Sequence, residues 1–179
     1  MERPYAEGRK MKTDKKIKTL LWVSGALTAL ICIVMNFVLI PMIEKSTEGI
    51  RCFDMQSMGY TYETAQRFLA LLGEQGRNVY LHFQLPLDFV YPVAYTAFFM
   101  LALRKLSGKS WTLLFPAALA VCDYTENVCS VIMLKNMTVT EGLAKFASAV
   151  TVLKSGLMTL TFILLAVFFV IWIVKRKKK

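Results

Sequence analysis

Four long runs of apolar positions, at about residues 20–43, 80–103, 111–134 and 146–174, alternate with shorter polar stretches along the chain. A helix rises about 1.5 Å per residue and a bilayer core is roughly 30 Å thick, so roughly 20 apolar residues in succession can cross it. Each run meets that length, and the pattern predicts four transmembrane helices. The connection "RKLSGKS" between the second and third runs is only a few residues long, which makes those helices antiparallel neighbours. The link "KNMTVTEG" to the fourth run is also short, and Thr138 and Glu141 have the spacing of a capping box. The expected fold class is all-α, a polytopic membrane protein built as an antiparallel four-transmembrane-helix bundle.

The polar segment after the first run carries a pattern of its own. In "GYTYETAQRFLALLGEQGR", Ala65, Phe68, Leu69 and Leu72 recur at helical spacing, Thr61 is placed as an N-cap, Glu63 can pair with Arg67, and Gly73 can stop the helix. These features predict a short amphipathic outer helix over about 62–72, its apolar face resting on the membrane surface or over the mouth of the bundle. The chain then divides into a basic segment (1–19), a four-helix membrane domain (20–174) and a basic tail (175–179). The first apolar run exceeds the roughly 7 to 15 residues of a secretory signal and lacks a small-x-small cleavage site, so it is expected to stay as a helix.

Composition sharpens the membrane assignment. The 179 residues are 56% hydrophobic and 19% charged, with a mean hydropathy of +0.48, too apolar for an ordinary soluble domain. Of the 22 lysines and arginines, fifteen fall in the first segment, the "RKLSGK" connection and the terminal "KRKKK". The positive-inside rule puts both termini in the cytoplasm and makes the chain a multi-pass protein of the inner or plasma membrane. The net charge of +10 then reflects topology and attraction to anionic lipid headgroups, with no interleaved aromatic and basic surface for nucleic acid. Cys32, Cys122 and Cys129 sit within the runs and no C-x-x-C occurs, so the four cysteines read as buried thiols.

Candidate chemistry lies where it is least expected. Ionisable residues inside a membrane are costly and usually face the interior of a helix bundle. In "AVCDYTENVCSV" of the third run, Asp123, Glu126, Asn127 and Ser130 share one helix face; in "LDFVYPVAY" of the second, Asp88, Tyr91 and Tyr95 do the same. Counted from the ends of their runs, Asp88 stands roughly 12 Å deep and Asp123 and Glu126 roughly 8 to 12 Å below the outer edge, so both clusters meet at one level. Lys154, with Thr151 and Ser155 on the same face of the fourth run, is the natural partner, either at that depth or snorkelling at the outer boundary. Asp88, Glu126 and Asp123 are the acid and base candidates. Tyr91, Tyr95, Asn127 and Lys154 are the binding candidates, with Arg67 and Arg77 able to reach down or to hold headgroups above. A single histidine, His82, without ligand spacing, gives no metal site, and the residues specify no cofactor.

Together, "GYTYETA", "LGEQGR", "LDFVYPVAY", "DYTEN" and the lysine of "TVLKSG" resemble a pattern of small four-span membrane proteins, chiefly bacterial, that carry no assigned activity. The resemblance runs from about Gly59 to Gly156 and implies the four-helix arrangement and the grouping of Asp88, Tyr91, Asp123, Glu126, Asn127 and Lys154. The function expected is a carboxylate-rich intramembrane pocket near the outer leaflet, which binds a lipid or small amphiphile and can modify it. Two rivals use the same residues: a proton-coupled transporter or ion-pathway component, which needs a homo-oligomer for machinery, and a non-catalytic assembly protein with its polar face against a partner helix. The expected partners are membrane lipids, a lipid-like ligand and a second copy of the chain.

Overall fold

A computed structural model describes residues 3–177, with side chains from Lys15 onward; residues 1–2 and 178–179, the extremities of the two basic segments, lie outside the described residues. Helix α1 (Arg3–Val34) passes through one widened π turn (Met35–Leu39) into α2 (Ile40–Glu44). A loop with a short 3-10 turn (Phe53–Met55) leads to α3 (Tyr62–Val79), which runs through a second π turn (Tyr80–Gln84) into α4 (Leu85–Ser107). A further 3-10 turn (Ser110–Leu113) opens α5 (Leu114–Asn136), and α6 (Glu141–Lys177) completes the chain. No strand occurs among the described residues. Four helices are long and apolar enough to cross a membrane: Lys15–Glu44, Tyr62–Ser107, Ser110–Asn136 and Glu141–Lys177, one over each apolar run.

Both π turns have a local cause. Each precedes a proline in the first positions of the following helix, Pro41 in α2 and Pro86 in α4. A proline ring collides with the carbonyl four residues back and supplies no N–H for it. Those carbonyls belong to Phe37 and His82, and each lies inside a π turn, where the extra residue widens the helix past the obstruction.

The predicted outer helix forms from Tyr62, capped by the Thr61 hydroxyl, which accepts a hydrogen bond from the Thr64 N–H at 3.2 Å. Gly73 breaks it with φ 63° and ψ 179°, a conformation open essentially to glycine alone. The chain does not become a loop there, however. It resumes helix at once and runs on into α4, so the second long helix starts several residues before the apolar run. Arg77 explains the extension, because its guanidinium donates to the carbonyls of Leu134 and Lys135 (2.8 and 2.9 Å) and satisfies the end of α5. Arg67 pairs with Glu48 at 3.1 Å rather than with Glu63. The cap of α6 is Thr140, whose hydroxyl accepts from the Leu143 N–H at 3.3 Å, and not Thr138. Met137 turns the chain with φ 51° and Val139 is buried in the core, and the helix starts beyond them.

α1 packs on α4, α4 on α5 and α6, and α5 on α6. The largest core cluster does not lie among the four long helices alone. The apolar face of α3 (Ala65, Phe68, Leu69 and Leu72) meets Phe53 and Tyr80, and then Met133, Leu134, Ala144 and Ala147 from the adjoining ends of α5 and α6. The amphipathic segment is therefore a cap packed on protein, with the Phe53 ring 4.7 Å from that of Phe68.

Candidate functional site

Lys154, reached from α6, is the hub of the predicted cluster. Its ammonium donates to Glu126 Oε2 in close contact and to Asp123 Oδ1 at 3.4 Å, and the three side chains are 14%, 1% and 8% exposed. Thr151, one turn back on α6, donates to the other oxygen of Glu126. Tyr95 from α4 donates to Asp123 Oδ2 at 2.9 Å. The i, i+3 spacing on α5 and the i, i+3 spacing on α6 thus bring two acids, one base and one hydroxyl face to face. A buried pair of this kind holds two charged elements in a fixed register more than it adds net stability, because desolvation offsets much of the Coulomb gain.

Asp88 stands beside this triad in a different setting. Pro92 in α4 has no N–H, so the Asp88 carbonyl loses its helical partner. Asn127 of α5 replaces it, its Nδ2 donating to the Asp88 carbonyl at 2.8 Å. Tyr124 also reaches across to α4 and donates to the Phe89 carbonyl at 3.1 Å. The Asn127 amide is thereby engaged by the backbone of α4. Among the described residues the Asp88 carboxyl itself accepts only from Gln84 Nε2, at 3.1 Å, and makes no ion pair.

A fourth carboxyl comes from the loop. Asp54, in the 3-10 turn after Cys52, accepts from the Tyr80 hydroxyl at 3.2 Å and lies half-buried above the cluster. Desolvation pushes its carboxyl above the usual aspartate range; the charge of Lys154 and the Tyr80 hydroxyl pull the other way. Periodicity does not reveal this residue, which sits outside any helical repeat. The signal available in the sequence is an acid flanked by Phe53 and Met55, in a segment otherwise rich in exposed polar residues.

These groups border a cavity of about 340 Å³. Asp88 and Tyr91 come from α4, Asp123 from α5, Lys154 and Ser155 from α6, and Asp54 from the cap loop. Met35, Asn36 and Ile40 form one wall, and Met158 and Thr159 of α6 the opposite one, so the cavity lies between the first helix and α6 over a floor of α4 and α5. Glu126 does not line it. Tyr91 stands edge-on to Tyr95, ring centres 5.1 Å apart. Beyond Tyr95 the helices meet through Phe99 and Leu119, with Leu157, Met158 and Leu165 against them. Of the predicted residues, then, Asp88, Asp123, Tyr91, Tyr95 and Lys154 gather at one place, Glu126 and Asn127 support it from behind, and Arg67 and Arg77 serve the cap and the end of α5.

Comparison of the chain with protein-family models, with curated proteins and with solved structures finds no match.

Proposed function

We propose that the chain crosses a membrane four times and holds, between its first and last helices, a pocket for the polar end of a lipid or small amphiphile. Apolar side chains support the membrane setting: Trp22, Phe37, Leu114 and Val121 are each more than 60% exposed, and large exposed apolar side chains in such number suit contact with lipid. The single observation that carries the pocket is the cavity beside Asp88, lined by the carboxyls of Asp54, Asp88 and Asp123 together with Met35, Ile40, Met55 and Met158. Its volume lies in the range of roughly 300–1,000 Å³ common for small-molecule sites. Asp88 and Asp54, which make no ion pair among the described residues, are the groups able to exchange a proton with a bound molecule; Asp123 and Glu126 are tied to Lys154 and act as framework. The apolar packing inward of Tyr95 favours a closed pocket over a proton relay that crosses the protein.

The test is a filled cavity. Ser155→Phe adds bulk to the lining and leaves every carboxyl in place. Mass spectrometry of lipids and small molecules that co-purify in native-membrane particles is expected to show a species with the native chain that is lost from the variant at unchanged thermal stability. Identical profiles would sink the pocket.

A further inference from the structure

Charge around the cavity is unbalanced, and the imbalance has a direction. Four carboxyls cluster here, those of Asp54, Asp88, Asp123 and Glu126, and Lys154 is the one cation among the described residues that lines the cavity. Lys154 is already shared between Asp123 and Glu126. Asp88 is 5% exposed, and while its Oδ2 accepts from Gln84, its Oδ1 has no donor among the described residues although the side chain lines the cavity. Asp54 is in the same position, with Oδ1 on Tyr80 and Oδ2 without a donor among the described residues. Both oxygens belong to side chains that line the cavity, and two acceptors turned to one space without a protein donor suit a group that brings donors and positive charge together.

We infer that the ligand's polar head is a positively charged amine, seated between Asp54 and Asp88 against the ring of Tyr91, with its chain leaving past Met35 and Met158. This rests on the pocket proposed above. An ammonium supplies two or three N–H donors and no acceptor, which matches what the two free carboxyl oxygens lack. A phosphate or carboxylate head would meet three acids and a lysine already paired. Tyr91 lines the cavity, and an aromatic ring is a surface that an alkylated or desolvated ammonium favours; the methionines of the lining adapt to chains of different shape. Because Asp54 belongs to the cap and Asp88 to α4, a bound amine also ties the cap to the helices beneath it.

The experiment uses the full chain in nanodiscs of phosphatidylglycerol, whose headgroup has no amine. Hexadecylamine, hexadecanol and palmitate, equal in chain length and different in head, are compared by native mass spectrometry with competition. Hexadecylamine is expected to be retained about tenfold or more over the other two, and to weaken by a similar factor in Asp88→Asn and Asp54→Asn. The head-group comparison on the native chain needs no variant, so it decides even if a substitution unfolds the protein. Equal retention of all three heads, lost together in Ser155→Phe, would overturn the amine while leaving the pocket. Retention that ignores Ser155→Phe for every probe would overturn the pocket as well. Butylamine held as tightly as hexadecylamine would keep the amine and reject the lipid-like chain.

Discussion

The chemistry of the site turns on which polar groups are already engaged. Lys154 neutralises two buried acids at once, and its replacement by methionine leaves both without a cation. Lys154→Met is expected to destabilise the protein by about 3–5 kcal/mol, read as a large fall in thermal midpoint; a change near zero would mean that the two acids do not depend on it. Asn127 is engaged differently, through the carbonyl that Pro92 strands. Asn127→Ala alone is expected to cost about 1–3 kcal/mol, and far less in a Pro92→Ala background, where an N–H returns to the Asp88 carbonyl. Additive losses in that cycle would reject the substitution of side chain for backbone. Asp54 gives a pH signature. Its folded-state pKa is raised, so the folded form holds the proton more tightly, and stability falls as pH rises from the ordinary aspartate value through the folded value. Hydrogen exchange over residues 52–60, corrected for intrinsic rates, is expected to show the cap loosening across that window in the native chain and not in Asp54→Asn, which keeps an acceptor for Tyr80. Equal slopes in the two proteins would remove Asp54 from the account.

Among the elements, the cap depends on one close approach. Gly59 has φ 86°, and a Cβ built there would stand 2.7 Å from Ser148 Oγ on α6. The same hydroxyl accepts a hydrogen bond from the Tyr60 N–H at 2.8 Å. Gly59→Ala therefore meets both an unfavourable backbone and a collision, and should lower stability by about 2 kcal/mol or more, with the loss seen first as exchange in α3. A neutral result would mean that the loop can lift from α6 without disturbing the packing of Phe53 and Phe68. The prolines act at this scale too. Pro41 and Pro86 produce π turns flanking the cap, whereas Pro92, deeper in α4, produces the polar gap that α5 fills.

For the whole molecule, the sidedness of the charges makes the clearest forecast. With the native cysteines replaced by alanine, Lys45→Cys and Lys135→Cys should label in intact cells with an impermeant maleimide. Lys109→Cys should label only after permeabilisation. The reverse pattern would turn the pocket toward the cytoplasm. The cap and the triad are joined through the cavity: Asp54 comes from the loop, Asp88 from α4 and Lys154 from α6, so whatever enters between the first and last helices meets groups from both layers.

Hydrophobic runs and helical spacing were enough to find the four long helices, the cap helix from Tyr62 and its break at Gly73, and the faces that carry Asp88, Asp123, Glu126 and Lys154. Those features are periodic and local, so they are written in the order of the residues. The tertiary structure alone decided how the polar groups are divided among tasks. That Asn127 serves a carbonyl freed by Pro92, that Arg77 caps α5 and Arg67 meets Glu48, and that Asp54 descends from a loop into the cluster are all relations between residues far apart in the chain. A chain's own pattern fixes which side of a helix is polar. Which hydrogen bond each polar group makes depends on what the neighbouring helix has left unsatisfied, and that is settled only when the helices are packed together.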